Sequence, residues 1–159
     1  MLNNEDKKEQ AYLVGVVLKG TLKYQIIKQL EELSLLALTA GANTIATTIQ
    51  SLNTPNSATF IGKGKVDSII NKANELDCKL IIFNDDISPT QLKNLQKIAG
   101  KKIKILDRTG LILDIFSKHA KTKEAKTQVQ LAKLEYLLPR LTRIWTHLER
   151  QMGGIGTRA

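Results

Sequence analysis

The chain has 159 residues and a formal net charge of +9 at pH 7, with 42% hydrophobic, 25% charged and only 4% aromatic residues, an ordinary composition for one domain or a domain with an appendage. Its single cysteine, Cys78, excludes an intrachain disulfide and suits a reducing compartment. No apolar run approaches the roughly 18 residues of a membrane span, and the charged stretch Met1 to Gln10 lacks the apolar centre of a signal peptide, so a cytoplasmic protein is expected.

Residues 1–10 read as a disordered tail. Ala11 to Leu18 is a continuous apolar run, the pattern of a strand buried on both faces. From Tyr24 to Ala40, Ile26, Leu30, Leu33, Ala37 and Ala40 recur at helical spacing, and Gly41 can end that helix. Asn43 to Gln50 is β-rich, Ser51 to Ser57 is a loop, and Ala58 to Ile61 is expected to be a short extended piece. A helix then runs to about Leu76 on the apolar face Val66, Ile69, Ile70 and Ala73, and Lys79 to Asn84 is a further buried strand.

Ser88-Pro89-Thr90-Gln91 is the cleanest local signal. Ser88 can cap a helix, Pro89 suits the first turn and Gln91 can close a capping box. Gly100 ends that helix, and Lys102 to Asp107 is the last strand. Alternating strands and helices with short connections predict an α/β fold, a small mainly parallel sheet flanked by helices, over residues 11–120.

After Asp107 the chain reads as helix. Thr109 is expected to cap a segment with Leu111, Ile112, Ile115, Phe116 and His119 on its buried side. Beyond the polar Lys121 to Lys126, Leu131, Leu134, Leu138, Leu141, Trp145 and Leu148 form a heptad seam, which needs a partner helix. Pro139 is expected to kink this helix. Residues 121–159 thus read as a long helical arm with a Gly-rich tip, half of a helical hairpin. Self-association through the unpartnered seam is one expected outcome.

Charge is unevenly distributed. Residues 1–100 carry 11 Lys/Arg against 10 Asp/Glu, whereas residues 101–159 carry 13 against 5. A neutral body with a basic end suggests a polyanionic partner at that end, although a solvated basic surface would have the same composition. Lys126, Lys133, Arg140, Arg143 and Arg150 fall away from the seam, and Lys118 and Lys121 extend the stripe. With so few aromatics, contacts would go mainly to phosphates or folded RNA shape.

Other motifs are weaker. Gly62-Lys63-Gly64-Lys65 lies between a strand-like piece and a helix, where a phosphate could sit at the helix amino end. It departs from a P-loop: Thr59 stands where the first glycine belongs, and Val66 where Ser or Thr would bind magnesium. A tight turn opening a helix is the simpler reading, and a nucleotide-binding α/β domain is the alternative. Gly154-x-Gly156-x-x-Ala159 spells a dinucleotide fingerprint but follows a helix, so it reads as a glycine loop. Asp85 and Asp86 end a strand with no His, Cys or third acid beside them, and read as a polar turn. His119 and His147 have no ligand spacing to each other or to Cys78. No metal site and no catalytic set is expected.

Five stretches together carry a resemblance: Phe60-Ile61-Gly62-Lys63-Gly64-Lys65; Ile87-Ser88-Pro89-Thr90-Gln91-Leu92; Asp107 to Phe116; Gln130 to Leu141; and Gly153-Gly154-Ile155-Gly156-Thr157-Arg158. In this order and spacing they resemble the N-terminal region of HflX-type GTPases over nearly the whole chain after the tail. The resemblance implies an α/β domain joined to a helical hairpin that docks on the large ribosomal subunit and its rRNA, in a family associated with splitting stalled ribosomes. It puts Gly153, Gly154, Gly156 and Arg158 at a hairpin tip near the peptidyl-transferase region, with the glycines permitting close approach and Arg158 meeting phosphate. The sequence stops at Ala159, where the family continues into a returning helix and a C-terminal GTPase domain. GTP and Mg2+ would belong to that domain, so this stretch is expected to bind no cofactor of its own and not to hydrolyse GTP.

Overall fold

The computed structural model describes residues 8–152, with side chains through residue 140. Nine elements follow in order: β1 (Glu9–Leu18), α1 (Lys23–Thr39), β2 (Ala42–Leu52), α2 (Lys63–Glu75), β3 (Leu80–Phe83), α3 (Pro89–Ala99), β4 (Lys104–Leu106), α4 (Arg108–His119) and α5 (Lys123–Met152). The four strands form one parallel sheet in the order β2-β1-β3-β4. The chain separates into two compact units, Met1–His119 and Ala120–Ala159.

Burial of β1 on both faces places it inside the sheet, as its unbroken apolar run requires. Tyr12, Val14 and Val16 join Ile81, Phe83 and Ile105 beneath α2 and α3, which contribute Val66, Ile69, Ala73 and Leu95. The opposite face carries Ala11, Leu13, Leu80 and Ile82 beneath α1, with Ile26, Leu30, Leu33 and Ala37, and beneath Leu111 of α4. Cys78, at 1% exposure, is sealed into the first of these layers. Burial pushes its thiol pKa up, and the neighbouring Asp77 carboxylate adds to the shift.

Several local signals are realised as expected. Gly41 and Gly100 take φ of 97° and 80° where α1 and α3 end, the left-handed backbone that favours glycine there. Ser88 Oγ accepts from the Gln91 N–H at 3.2 Å while Gln91 Oε1 accepts from the Ser88 N–H at 3.1 Å, completing the capping box. Gly15 answers a packing need. A Cβ there would lie 2.7 Å from Leu30 Cδ1 and 3.0 Å from Ile26 Cγ2. Gly15→Ala is therefore expected to push α1 from the sheet and cost about 1–3 kcal/mol in chemical denaturation.

The structure corrects other expectations. β1 begins at Glu9, inside the expected tail, because Glu9 and Gln10 pair with Ala42 and Asn43; the rest of that tail, residues 1–7, lies outside the described residues. Residues 58–61 are a turn rather than an extended piece. Asn56 Oδ1 accepts from the N–H groups of Ala58 (2.8 Å) and Thr59 (3.1 Å), an Asx-type closure, and Phe60 takes φ 67° to pack edge-on against Phe83. Asp107, not Thr109, caps α4: its Oδ1 accepts from the Gly110 N–H at 2.8 Å, while Thr109 donates to Asp86. Phe116 and His119 are exposed, not buried. Leu111 and Ile115 set the inward face of α4, and Phe116 lies about 140° around the helix from Leu111 at 3.6 residues per turn.

In the second unit, Thr122 Oγ1 accepts from the Ala125 N–H at 3.0 Å and opens α5. This helix is 30 residues long and includes Pro139 within its span. One backbone bond is lost at the proline. Beside it, the Arg140 guanidinium lies 3.7 Å over the Tyr136 ring and donates to the Tyr136 carbonyl at 2.7 Å.

Candidate functional site

Two regions concentrate polar side chains. The first lies beyond the carboxyl ends of the strands. The chain leaves β1 through α1 to β2 on one side, then returns through α2 to β3 on the other, so the β1–β3 junction is the sheet's topological switch point. Asn84, at 4% exposure, continues β3 through its N–H to the Val14 carbonyl at 2.9 Å. Its side chain donates to Gln29 Oε1 at 2.8 Å and accepts from Arg108 Nη1 at 2.7 Å. Arg108 also donates to Glu32 Oε1 at 2.8 Å. Asp107, fully buried, accepts from the Ile87 and Gly110 N–H groups at 3.1 and 2.8 Å. The ends of β3 and β4 are thus tied to α1 and α4, by Asp107 and Arg108 from the stretch that carries the resemblance and by Asn84, Gln29 and Glu32, which no sequence motif singles out.

Asp85 is the least satisfied member of this cluster. Its Oδ2 is enclosed with no hydrogen-bond partner among the described residues. Burial pushes its pKa above the ordinary 3.8, the Asp86 carboxylate adds to the rise, and the Arg108 guanidinium opposes it. A carboxyl group whose pKa is raised by folding stabilises the fold while protonated, and that advantage is lost as pH climbs through the raised value. Asp85→Asn is therefore expected to raise the denaturation midpoint at neutral pH, with the gain shrinking to nothing as the pH falls to 3.8 and below. A gain independent of pH would assign the effect to packing instead. No group of three His, Cys, Asp or Glu able to hold a metal occurs among the described residues.

The Gly62–Lys65 turn opens α2. Gly62 stands at the cap position with φ −58° and supplies no side-chain cap, and there is no acidic residue in the first turn. A Cβ on Gly62 or Gly64 would meet nothing within 4 Å, so neither glycine is demanded by backbone or packing. Lys63 and Gly64 are exposed. Across the preceding loop, Gln91 and Asn94 donate to the Asn56 and Ala58 carbonyls, both at 2.8 Å, and hold it on α3.

The second region is the basic stripe. Lys121, Lys123 and Lys126 are exposed and, with Gln130, Leu131 and Leu134, line an open groove along α5; Lys123 joins the candidates expected from the sequence. Lys133 is half-buried. Two candidates are engaged within the chain. Lys118 Nζ donates to the Ala40 carbonyl at 2.8 Å and pairs with Asp114 at 3.1 Å, while Arg140 stacks on Tyr136. Leu131, Leu134 and Leu138 of the expected seam are exposed. The side chain of Arg143, the seam residues Leu141, Trp145 and Leu148, and Gly153, Gly154, Gly156 and Arg158 lie outside the described residues.

Known proteins share this arrangement. The family model for the N-terminal region of GTP-binding GTPases matches residues 27–117, and the model for their middle region matches residues 119–159. A parallel α/β unit followed by a basic helix is here the N-terminal part of a GTP-binding GTPase. Within that class the chain belongs to the HflX family. It is 45% identical over 150 residues to GTPase HflX of Flavobacterium psychrophilum, covering 94% of this chain and 36% of that protein. It is 38% identical over 158 residues to GTPase HflX of Escherichia coli, covering 99% of this chain and 36% of that protein. A crystal structure of a GTP-binding protein from Sulfolobus solfataricus in complex with GDP superposes with a TM-score of 0.65 at 25% identity, covering 94% of this chain and 44% of that one. The chain therefore spans about a third of the length of the curated relatives it matches. No helix among the described residues is long and apolar enough to cross a membrane.

Proposed function

We propose that this chain is the ribosome-docking region of an HflX-type GTPase, binding rRNA of the large subunit in the cytoplasm during the splitting and rescue of stalled ribosomes. What supports the reading most is the exposed run Lys121, Lys123 and Lys126 at the start of α5, in a chain whose positive charge is concentrated after residue 100. Phosphate binding by such a stripe needs no pocket and no base stacking. GTP and Mg2+ would be handled by a GTPase domain, and the exposed leucines of α5 would be covered by a further helix. Arg143 and the segment containing Gly153, Gly154, Gly156 and Arg158 would extend the interface.

The test is sedimentation of the chain with purified large subunits over a salt series. Affinity should fall steeply with salt, and replacing Lys121, Lys123, Lys126 and Lys133 by glutamate should reduce the log–log slope by about one for each phosphate no longer neutralised. An unchanged slope would remove the stripe from the interface. A second reading places a nucleotide phosphate at the amino end of α2, supported by the uncapped turn and the open space above Gly62 and Gly64. Saturable ATP or GTP binding abolished by Lys65→Ala would favour it; no binding by calorimetry would end it.

A further inference from the structure

From Leu33 to Gly62, 30 consecutive residues carry no ionisable side chain, in a chain that is 25% charged overall. The structure folds this stretch into the end of α1, all of β2 and the loop that leads to α2, so the β2 strand itself is built without charge. Among the described residues β2 has β1 as its only neighbour in the sheet, and alternate residues along its 11 direct their backbone N–H and C=O groups to the other side. The opposite edge is different: β4 is three residues long and sits among Lys101, Lys102 and Lys104. Short length and lysines are the usual protection of a sheet edge against pairing, and β2 has neither. Its one defence is the bulge at Ile45, beyond which Ala46 to Leu52 pairs with β1 in unbroken register. Beside this edge, Ile27 and Leu35 of α1 with Thr44, Thr47 and Ile49 of β2 line a mainly apolar groove in which Glu31 is the one charged residue, and Leu35 is 67% exposed.

We infer that β2 is a pairing edge, and that its occupant is β2 of a second copy of this chain, the two strands running antiparallel about a two-fold axis. Charge selects this occupant. A charged peptide would find no countercharge on β2 itself, only Glu31 in the groove beside it, whereas two chains of +9 each meet at least electrostatic cost where both strands are neutral. A two-fold axis sets a strand against its own reverse; with the axis at Thr47, which stands exposed just past the bulge, Thr47 faces Thr47 of the second copy, a favourable cross-strand pairing. The four-stranded sheets become one of eight strands, and the grooves beside the edge are brought together across the axis.

Sedimentation velocity over a concentration series should show the mass rising from 17.7 kDa towards twice that value. Hydrogen exchange of the β2 amides should slow as concentration rises. Thr47→Lys, at an exposed position, brings two cations together across the axis and should weaken dimerisation by about tenfold or more. Leu134→Glu with Leu138→Glu on α5 should leave it unchanged. A mass of 17.7 kDa at every concentration, or a dimer abolished in the α5 variant and kept in Thr47→Lys, overturns the inference. Should Thr47→Lys fail to fold by circular dichroism, the exchange data on the unaltered chain decide: β2 amides indifferent to concentration reject the pairing edge.

Discussion

Asp107→Ala is expected to cost about 3 kcal/mol, the sum of a lost helix cap at roughly 1 kcal/mol and a buried N–H left without its acceptor at about 1–3 kcal/mol. Asp107 has no exposed surface. One carboxylate oxygen receives the Gly110 N–H in the first turn of α4, and the other receives the Ile87 N–H from the loop that precedes α3. Alanine supplies neither acceptor, and water has no route to replace them in a site this enclosed. Asp107→Asn keeps one acceptor and turns an N–H₂ towards the other donor, so it should rescue only part of the loss. Urea denaturation followed by far-UV circular dichroism measures both. A cost for Asp107→Ala below about 1 kcal/mol would mean that neither N–H depends on this carboxylate.

Arg108→Ala is the second large loss, about 2 kcal/mol, and the hydrogen bond to Asn84 carries most of it. Asn84 is almost fully enclosed, so removing the guanidinium leaves its amide oxygen unpaired in the interior. The ion pair to Glu32 contributes much less, because the Glu32 side chain is 64% exposed and solvent screens it. Glu32→Ala should therefore cost under about 1 kcal/mol. Equal losses in the two variants would transfer the effect to the ion pair. Arg108 also opposes the raised pKa of Asp85, so its removal should hurt more at neutral than at acid pH, where Asp85 is uncharged.

Signals confined to a few neighbouring residues were legible in the sequence. Ser88 to Gln91 encode a cap because donor and acceptor lie three residues apart, and β1 announces burial on both faces by having no polar alternation. What depended on distant partners was not legible. Thr109 and Asp107 are both capping residues, and only the position of Ile87, 20 residues upstream, decides for Asp107. The loop before α2 takes its turn from Asn56 and its anchorage from Gln91 and Asn94, more than thirty residues on. The same division holds for the basic stripe. Its charge could be counted, but that Lys118 is held by the Ala40 carbonyl follows from a three-dimensional neighbour alone, whereas Arg140 and Tyr136 stand one helical turn apart, within local reach.

The sealed position of Cys78 gives the molecule a built-in reporter. As the only cysteine in the sequence, it presents a single sulfur to an alkylating reagent, and its enclosure lets labelling proceed only when the layer under α2 and α3 opens. The labelling rate at low reagent concentration thus reads the opening equilibrium in native buffer. Each substitution above could be ranked by how much faster its sulfur is captured, without denaturant and without an added probe.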